Sequence, residues 1–212
     1  GDGGRVCMSN RYEAGEAQGS HEPGSDDRVL RNKLGVTDPD EMDEVELQLL
    51  GQIYRAVLLE ALPDRRLYVA DLKTWHRRWL GNVYEWAGME RSVNMGKGDF
   101  HFAAATQVPR LLTVFEHDCL ARFTPCHDID DASLIEAIAM THVELILIYP
   151  FREGNGRLSR LLADVMVVQA GRGPLDYSAW EADKAAYFGA IRAGMANDYR
   201  PMQRLVEAAL VN

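Results

Sequence analysis

The chain has 212 residues, 47% of them hydrophobic and 26% charged. That is the composition of a folded globule of one domain, at roughly 100–200 residues per domain, and it excludes a wholly disordered chain. Lys and Arg total 23 against 32 Asp and Glu, and the net charge of −9 argues against a nucleic-acid footprint, which needs clustered basic excess.

Residues 1–27, rich in Gly, Ser and acids, read as a flexible N-terminal arm. Within it, residues 1–7 read as a vector-derived or over-called start ahead of Met8. The domain then runs over 28–212. Asp38, Pro39 and Glu41 form a helix start. Met42, Val45, Leu49, Ile53 and Val57 recur at helical spacing, which predicts an amphipathic helix over 39–62. A second helix fits 68–80, with Leu72, Trp75 and Trp79 on its apolar face, and His76, Arg77 and Arg78 read as its solvated face.

Ser92–Met95 and Phe100–Phe102 flank Gly96-Lys97-Gly98 and predict a β-hairpin. Helical spacing resumes over Val108–Cys119 and Ile135–Tyr149, and further helices fit 156–170, 178–194 and 199–211. The expected architecture is all-α with a single β-hairpin. No run of 18 apolar residues exists; the greasiest stretch, 134–151, contains Glu136, His142 and Glu144, so no membrane span is expected. Cys7, Cys119 and Cys126 show no pairing pattern, which fits a reduced, cytoplasmic compartment.

One segment departs from helix-building composition: Tyr149-Pro150-Phe151-Arg152-Glu153-Gly154-Asn155-Gly156-Arg157-Leu158-Ser159-Arg160. Pro150 stops the preceding helix, and two glycines around Asn155 admit unusual backbone angles. The next helix starts here, where several N–H groups lack intrahelical partners and favour anions. Arg157 and Arg160 lie three apart on one face, so both guanidinium groups can reach phosphate oxygens. Glu153 sits at the loop's edge, suited to a Mg²⁺ that also bridges phosphates. Together these residues read as a di- or triphosphate cradle with a metal.

The segment resembles the signature of the Fic family, His-x-Phe-x-(Asp/Glu)-Gly-Asn-Gly-Arg-x-x-Arg. Val83–Gly88 and Arg91–Asn94 resemble that family's lead into its flap, and Val29–Gly35 a common entry to the domain. The resemblance implies a Fic-like helical bundle with a β-hairpin flap at about 92–102 and an active-site loop at 149–160. It implies a protein adenylyltransferase that moves AMP from ATP to a Ser, Thr or Tyr hydroxyl of a target protein. By the same likeness, Phe151 anchors the loop, Glu153 ligates Mg²⁺, Gly154, Asn155 and Gly156 form the anion nest, and Arg157 and Arg160 hold the outer phosphates. Val93, Asn94, Met95, Gly96 and Lys97 belong to the flap that clamps an extended target segment.

The family's first motif residue is a histidine, the general base, and Tyr149 stands in its place. A phenol with a pKa near 10 is deprotonated in only about 0.1% of molecules at pH 7. Losing a general base costs ~10²–10⁴ in rate. Transfer is therefore expected to be impaired while nucleotide binding survives. The alternative is a nucleotide-binding pseudoenzyme that docks a protein and transfers nothing. His142 lies two turns before Tyr149, about 10 Å of axial rise away, and reads as a hydrogen-bonded core residue.

Many Fic proteins are restrained by a Ser/Thr-x-x-x-Glu-Gly/Asn helix whose glutamate meets the second motif arginine. Ser9–Ala14 matches loosely and reads as tail. Control in the family's manner would then bring a glutamate from a small antitoxin chain to Arg160. His117-Asp118-Cys119 and Cys126-His127-Asp128 invite a zinc reading, but Cys119 falls on an apolar stripe. Tyr84 and Trp86 read as buried aromatics.

Overall fold

A computed structural model describes residues 18–211. Its elements are α1 (Pro39–Tyr54), α2 (Val69–Leu80), β1 (Gly96–Lys97), β2 (Phe100–His101), α3 (Val108–Phe115), α4 (Asp131–Ile148), α5 (Asn155–Gln169), α6 (Ser178–Ala182), α7 (Lys184–Gly194) and α8 (Arg200–Ala209). Single wide turns, Arg55–Glu60 and Glu116–Ala121, extend α1 and α3. The all-α expectation with one hairpin holds for the described residues.

α4 is the axis of the bundle. Asp130 caps it by accepting from the Ser133 amide at 2.7 Å, an interaction worth about 1 kcal/mol. The helix is apolar on nearly every side, which demands burial all round. It packs against α3, α5, α7 and α8, and Leu134, Ala137, Ile138, Val143 and Leu145 are almost wholly enclosed. α4 stops at Ile148 because Tyr149 turns left-handed, φ 51° and ψ 61°, ahead of Pro150. α5 returns antiparallel, buried along most of its length. The chain reversal between these two helices carries the 149–154 loop.

Three boundaries differ from the sequence expectation. The hairpin is shorter: Gly96 pairs with His101 and Lys97 with Phe100. Residues 92–94 spend their polar groups elsewhere, which keeps them out of the strand: the Ser92 amide donates to Gln18, Val93 O accepts from Arg91, and Asn94 Oδ1 accepts from the Ala105 amide. The segment 178–194 is two helices, because Asp183 leaves helical geometry and caps α7 through the Ala186 amide at 3.0 Å. The flexible-arm reading of 1–27 does not describe residues 18–27. Gln18 is buried, bonded to Glu90 O and to the Ser92 amide at 2.6 Å, and its own carbonyl accepts from Arg152. Ser25 is also buried, and His21 forms a bridge with Leu30. Small polar residues here satisfy the backbone within the turn, so few apolar side chains are needed to hold it. The Ser9–Ala14 match and residues 1–7 lie outside the described residues. No described helix is long and apolar enough to cross a membrane.

Candidate active site

The 149–154 loop is shaped by Asn155. Its Oδ1 accepts from the Phe151 amide at 2.8 Å and its Nδ2 donates to Phe151 O at 2.6 Å. Both ends of this buried side chain therefore hold the Phe151 peptide groups and close the loop. Gly154 precedes it at φ 83°, a conformation that costs any residue with a Cβ about 1–2 kcal/mol. An added Cβ would also meet Trp79 Cζ3 at 2.5 Å. The first bond of the next helix is Leu158 N to Gly154 O at 2.9 Å, so the amides of Asn155, Gly156 and Arg157 have no intrahelical acceptor.

A cavity of about 300 Å³ is lined by residues that include Tyr149, Glu153, Gly154, Asn155, Gly156, Arg157 and Arg160, with Lys97 from the hairpin, Glu181 from α6 and Lys184 from α7. Of the five flap residues expected at the site, Lys97 alone lines this cavity. Gly96 pairs in the hairpin, and Met95 packs on the core and accepts from the Phe102 amide. A second, mostly apolar recess of about 250 Å³ adjoins it, sharing Lys97, Phe102 and Phe188, and is completed by Gly98, Phe100, Ile191 and Arg192. Lys97 Nζ lies 4.6 Å from the Phe188 ring centre, and the Arg192 guanidinium 5.4 Å from that of Phe100. These crossed contacts join the hairpin to α7.

Both arginines carry carboxylate partners. Arg157 bonds Glu46 Oε1 at 3.2 Å and Glu153 Oε1 at 3.3 Å, and lies 4.7 Å over Trp79. Arg160 pairs with Glu181 at 2.5 Å and lies 5.0 Å over Tyr177. Glu46 is 3% exposed; burial pushes its carboxyl above the usual range and Arg157 pulls it back. Glu46 escaped the sequence reading; its one signal is its place on an apolar stripe, four residues after Met42 and three before Leu49.

Two further residues, neither expected at the site, shape the loop from behind. Arg91 is buried and bonds four carbonyls: Tyr149 O at 2.5 Å, Val93 O at 2.8 Å, Ile148 O at 3.0 Å, and Ala103 O. It thereby ties both roots of the hairpin to the C-terminus of α4, where helix carbonyls favour a cation. His76, expected on a solvated face, is fully buried beneath the loop. The correction follows from spacing: His76 stands four after Leu72 and three before Trp79, on the buried stripe of α2. Burial pushes its pKa down to about 4, so the ring is neutral at pH 7.

Tyr149 stacks on Phe102, ring centres 3.8 Å apart and 4° from parallel. Burial first, and the Glu153 charge next, raise its pKa further above that of a free phenol. His142 is buried seven residues earlier, bonded to the Tyr187 hydroxyl at 2.7 Å, and does not line the cavity. Among the described residues no cluster of three or more His, Cys, Asp or Glu forms a metal site. Cys119 and Cys126 are buried thiols pushed up to about 12.

Helices wrapped around a glycine-bracketed loop, with a hairpin over its mouth, define the class: a Fic-type bundle. The Fic/DOC family profile matches residues 66–167. The chain is 30% identical over 174 residues to the probable protein adenylyltransferase y4lH of Sinorhizobium fredii, covering 82% of this chain and 87% of that one. It is 24% identical over 184 residues to the probable protein adenylyltransferase Fic of Escherichia coli, covering 86% and 87%. Among solved structures, the N-terminal Fic domain of an effector from Bartonella sp. AR 15-3 aligns with a TM-score of 0.76 at 21% identity, over 99% of this chain and 95% of that one. BepC of Bartonella tribocorum, solved with bound AMPPNP, aligns at 0.72 and 23% identity, over 92% and 97%. These two structures speak for the fold. The chain belongs to the Fic/DOC family.

Proposed function

We propose that this chain binds Mg²⁺–ATP over the 149–160 loop and transfers AMP to a Ser, Thr or Tyr hydroxyl of a target protein, at a rate held low by Tyr149. The observation that carries this reading is that one cavity is lined by Glu153, Asn155, Gly156, Arg157 and Arg160, at the start of a helix whose first amides have no intrahelical acceptor. Amides at a helix start and guanidinium forks are the groups that bind polyphosphate. The adjoining apolar recess suits the base, with Phe188 offering an aromatic face. An extended target segment would run along the flap residues Val93–Lys97, of which Gly96 and Lys97 form the first hairpin strand.

Glu153 brings one carboxylate to the cavity, which fits Mg²⁺ held jointly by a carboxylate and phosphate oxygens. When bound, the ion neutralises phosphate charge. Arg157 and Arg160 orient the phosphates, and the target oxygen attacks the α-phosphorus as pyrophosphate leaves. The proton of that hydroxyl needs an acceptor, and Tyr149 is a poor one because its pKa is raised. The same fact favours the second reading, a nucleotide-binding docking module without transfer. An antitoxin glutamate directed at Arg160 would have to displace Glu181. The free thiols Cys119 and Cys126 and the use of ATP fit a cytoplasmic protein.

Calorimetry with Mg²⁺–ATP tests the reading. Wild type is expected to bind, and Arg160→Ala to bind about tenfold or more weakly, since hydrogen bonds to charged groups contribute ~1.5–3 kcal/mol. Arg160 is preferable to Arg157 for this purpose, because removing Arg157 strands the buried Glu46 carboxylate. Absence of binding by the wild type rejects the proposal.

A further inference from the structure

His76 touches two segments outside its own helix, the turn at Gly88 and the 149–154 loop. Its Nδ1 accepts from the Gly88 amide at 2.7 Å, its Nε2 meets Glu153 O at 2.9 Å, and its ring stacks on Phe151 at 4.0 Å and 10°. The partners fix the tautomer: a backbone N–H can only donate to Nδ1, and a backbone carbonyl can only accept from Nε2–H. One turn further along α2, Trp79 abuts Gly154 and carries the Arg157 guanidinium. His76 and Trp79 therefore form a platform for the floor of the loop, and the Glu153 carbonyl that His76 holds belongs to the last peptide before the Asn155–Arg157 amides begin.

We propose that His76 is a positioning residue: its Nε2–H, by holding the Glu153 carbonyl, sets the Glu153 carboxylate and the Asn155–Arg157 amides in their nucleotide-binding arrangement. A merely structural histidine would need only its volume and its stack. The positioning role needs the donor at one particular ring atom. This inference deepens the Mg²⁺–ATP reading and rests on it.

Two amide substitutions separate the ring's two ends. His76→Gln carries an N–H donor near the Nε2 position, whereas His76→Asn carries an acceptor near Nδ1 and no donor that reaches Glu153. The full chain is used, with Mg²⁺–ATP as the calorimetric probe. His76→Asn is expected to weaken binding about tenfold, the effect of one buried hydrogen bond, and His76→Gln by less than about threefold. Melting temperatures of the two variants are expected to be similar, since each keeps one of the two bonds. Equal affinities in the two variants, or losses that follow melting temperature alone, overturn the proposal.

Hydrogen exchange without nucleotide supplies the second measurement. Amides 153–157 are expected to exchange faster in His76→Asn than in His76→Gln, with α4 unchanged in both; equal exchange overturns the positioning role. Should the wild type fail to bind Mg²⁺–ATP, the nucleotide reading falls, and the exchange data still decide whether His76 sets the loop.

Discussion

Arg160 Nη1 and Glu181 Oε1 lie 2.5 Å apart, an ion pair that joins α5 to α6 across the rim of the main cavity. A guanidinium held by a carboxylate is partly withdrawn from any phosphate. The bond to Arg160 also holds the Glu181 carboxyl below its ordinary value, so it is ionised at neutral pH.

Glu181→Ala is therefore expected to tighten Mg²⁺–ATP binding about two- to fivefold, because a solvent-accessible pair contributes only ~0.2–1 kcal/mol. Calorimetry at low and high salt checks this. The gain should shrink as salt screens the wild-type pair. Weaker binding in the variant would show that Glu181 helps to place Arg160 rather than competing for it.

Gly154 and Gly156 flank the same asparagine and should respond differently to a methyl group. At Gly154 the backbone is left-handed and the new Cβ would lie 2.5 and 2.7 Å from Trp79 ring atoms. Gly154→Ala is expected to lose about 1–3 kcal/mol in urea unfolding, from strain and overpacking together. Nucleotide affinity should fall as well, since Trp79 also carries Arg157. At Gly156 nothing lies within 4 Å, so Gly156→Ala should change stability by less than about 1 kcal/mol.

His142 supplies a pH prediction. It is fully buried against Tyr187 and Trp180, near the Arg160 charge, and its pKa is pushed down to about 3, chiefly by burial. The folded value lies below the unfolded value of about 6.5. Between the two, the unfolded chain binds the proton and the native state does not. Stability is therefore fully present above pH 6.5 and is lost as pH falls toward 3, by about 2 kcal/mol between pH 7 and 5. Asp164, pushed up to about 6 by burial, acts in the opposite direction. The effect is read as the difference between wild type and His142→Phe in urea unfolding at pH 7 and pH 5. Asp164 cancels in that difference, and the variant should lose less stability on acidification. Equal losses would mean that His142 takes up its proton in the folded state.

Much of this architecture was legible because α4 and α5 write it in apolar spacing and Gly-Asn-Gly-Arg marks the turn between them. The loop between them was legible for a local reason: glycines, a proline and a helix start sit within one short stretch. What escaped lies in long-range pairing. Glu46 and Arg157 are far apart in the chain, and nothing near Glu46 distinguishes it from its acidic neighbours except its place on a stripe. His76 adjoins Arg77 and Arg78, which suggests a solvated face, although its spacing from Leu72 and Trp79 places it inside. Gln18 carries no local signal at all; its order comes from Ser92 and Arg152. The hairpin's second strand lies where the sequence predicts it, but the first lies at Gly96–Lys97 rather than Ser92–Met95, because Gln18 takes the Ser92 amide and Arg91 takes the Val93 carbonyl that a strand would have used.

Tyr149 decides between slow enzyme and binding module. Its backbone is left-handed, φ 51°, a region where histidine is better tolerated than bulky residues in general, so Tyr149→His needs no change of loop path. The smaller ring can keep the stack on Phe102, 3.8 Å away. It would bring a group that is substantially neutral at pH 7, in place of a phenol whose pKa burial has raised. Mg²⁺–ATP affinity should stay within about twofold, because the cradle residues are untouched. Transfer of radioactive AMP to lysate proteins should rise by ~10²–10⁴, the usual contribution of a positioned general base. Equal labelling before and after the substitution would remove the base from the account of this site and leave the cavity as a place where nucleotide is held but not consumed.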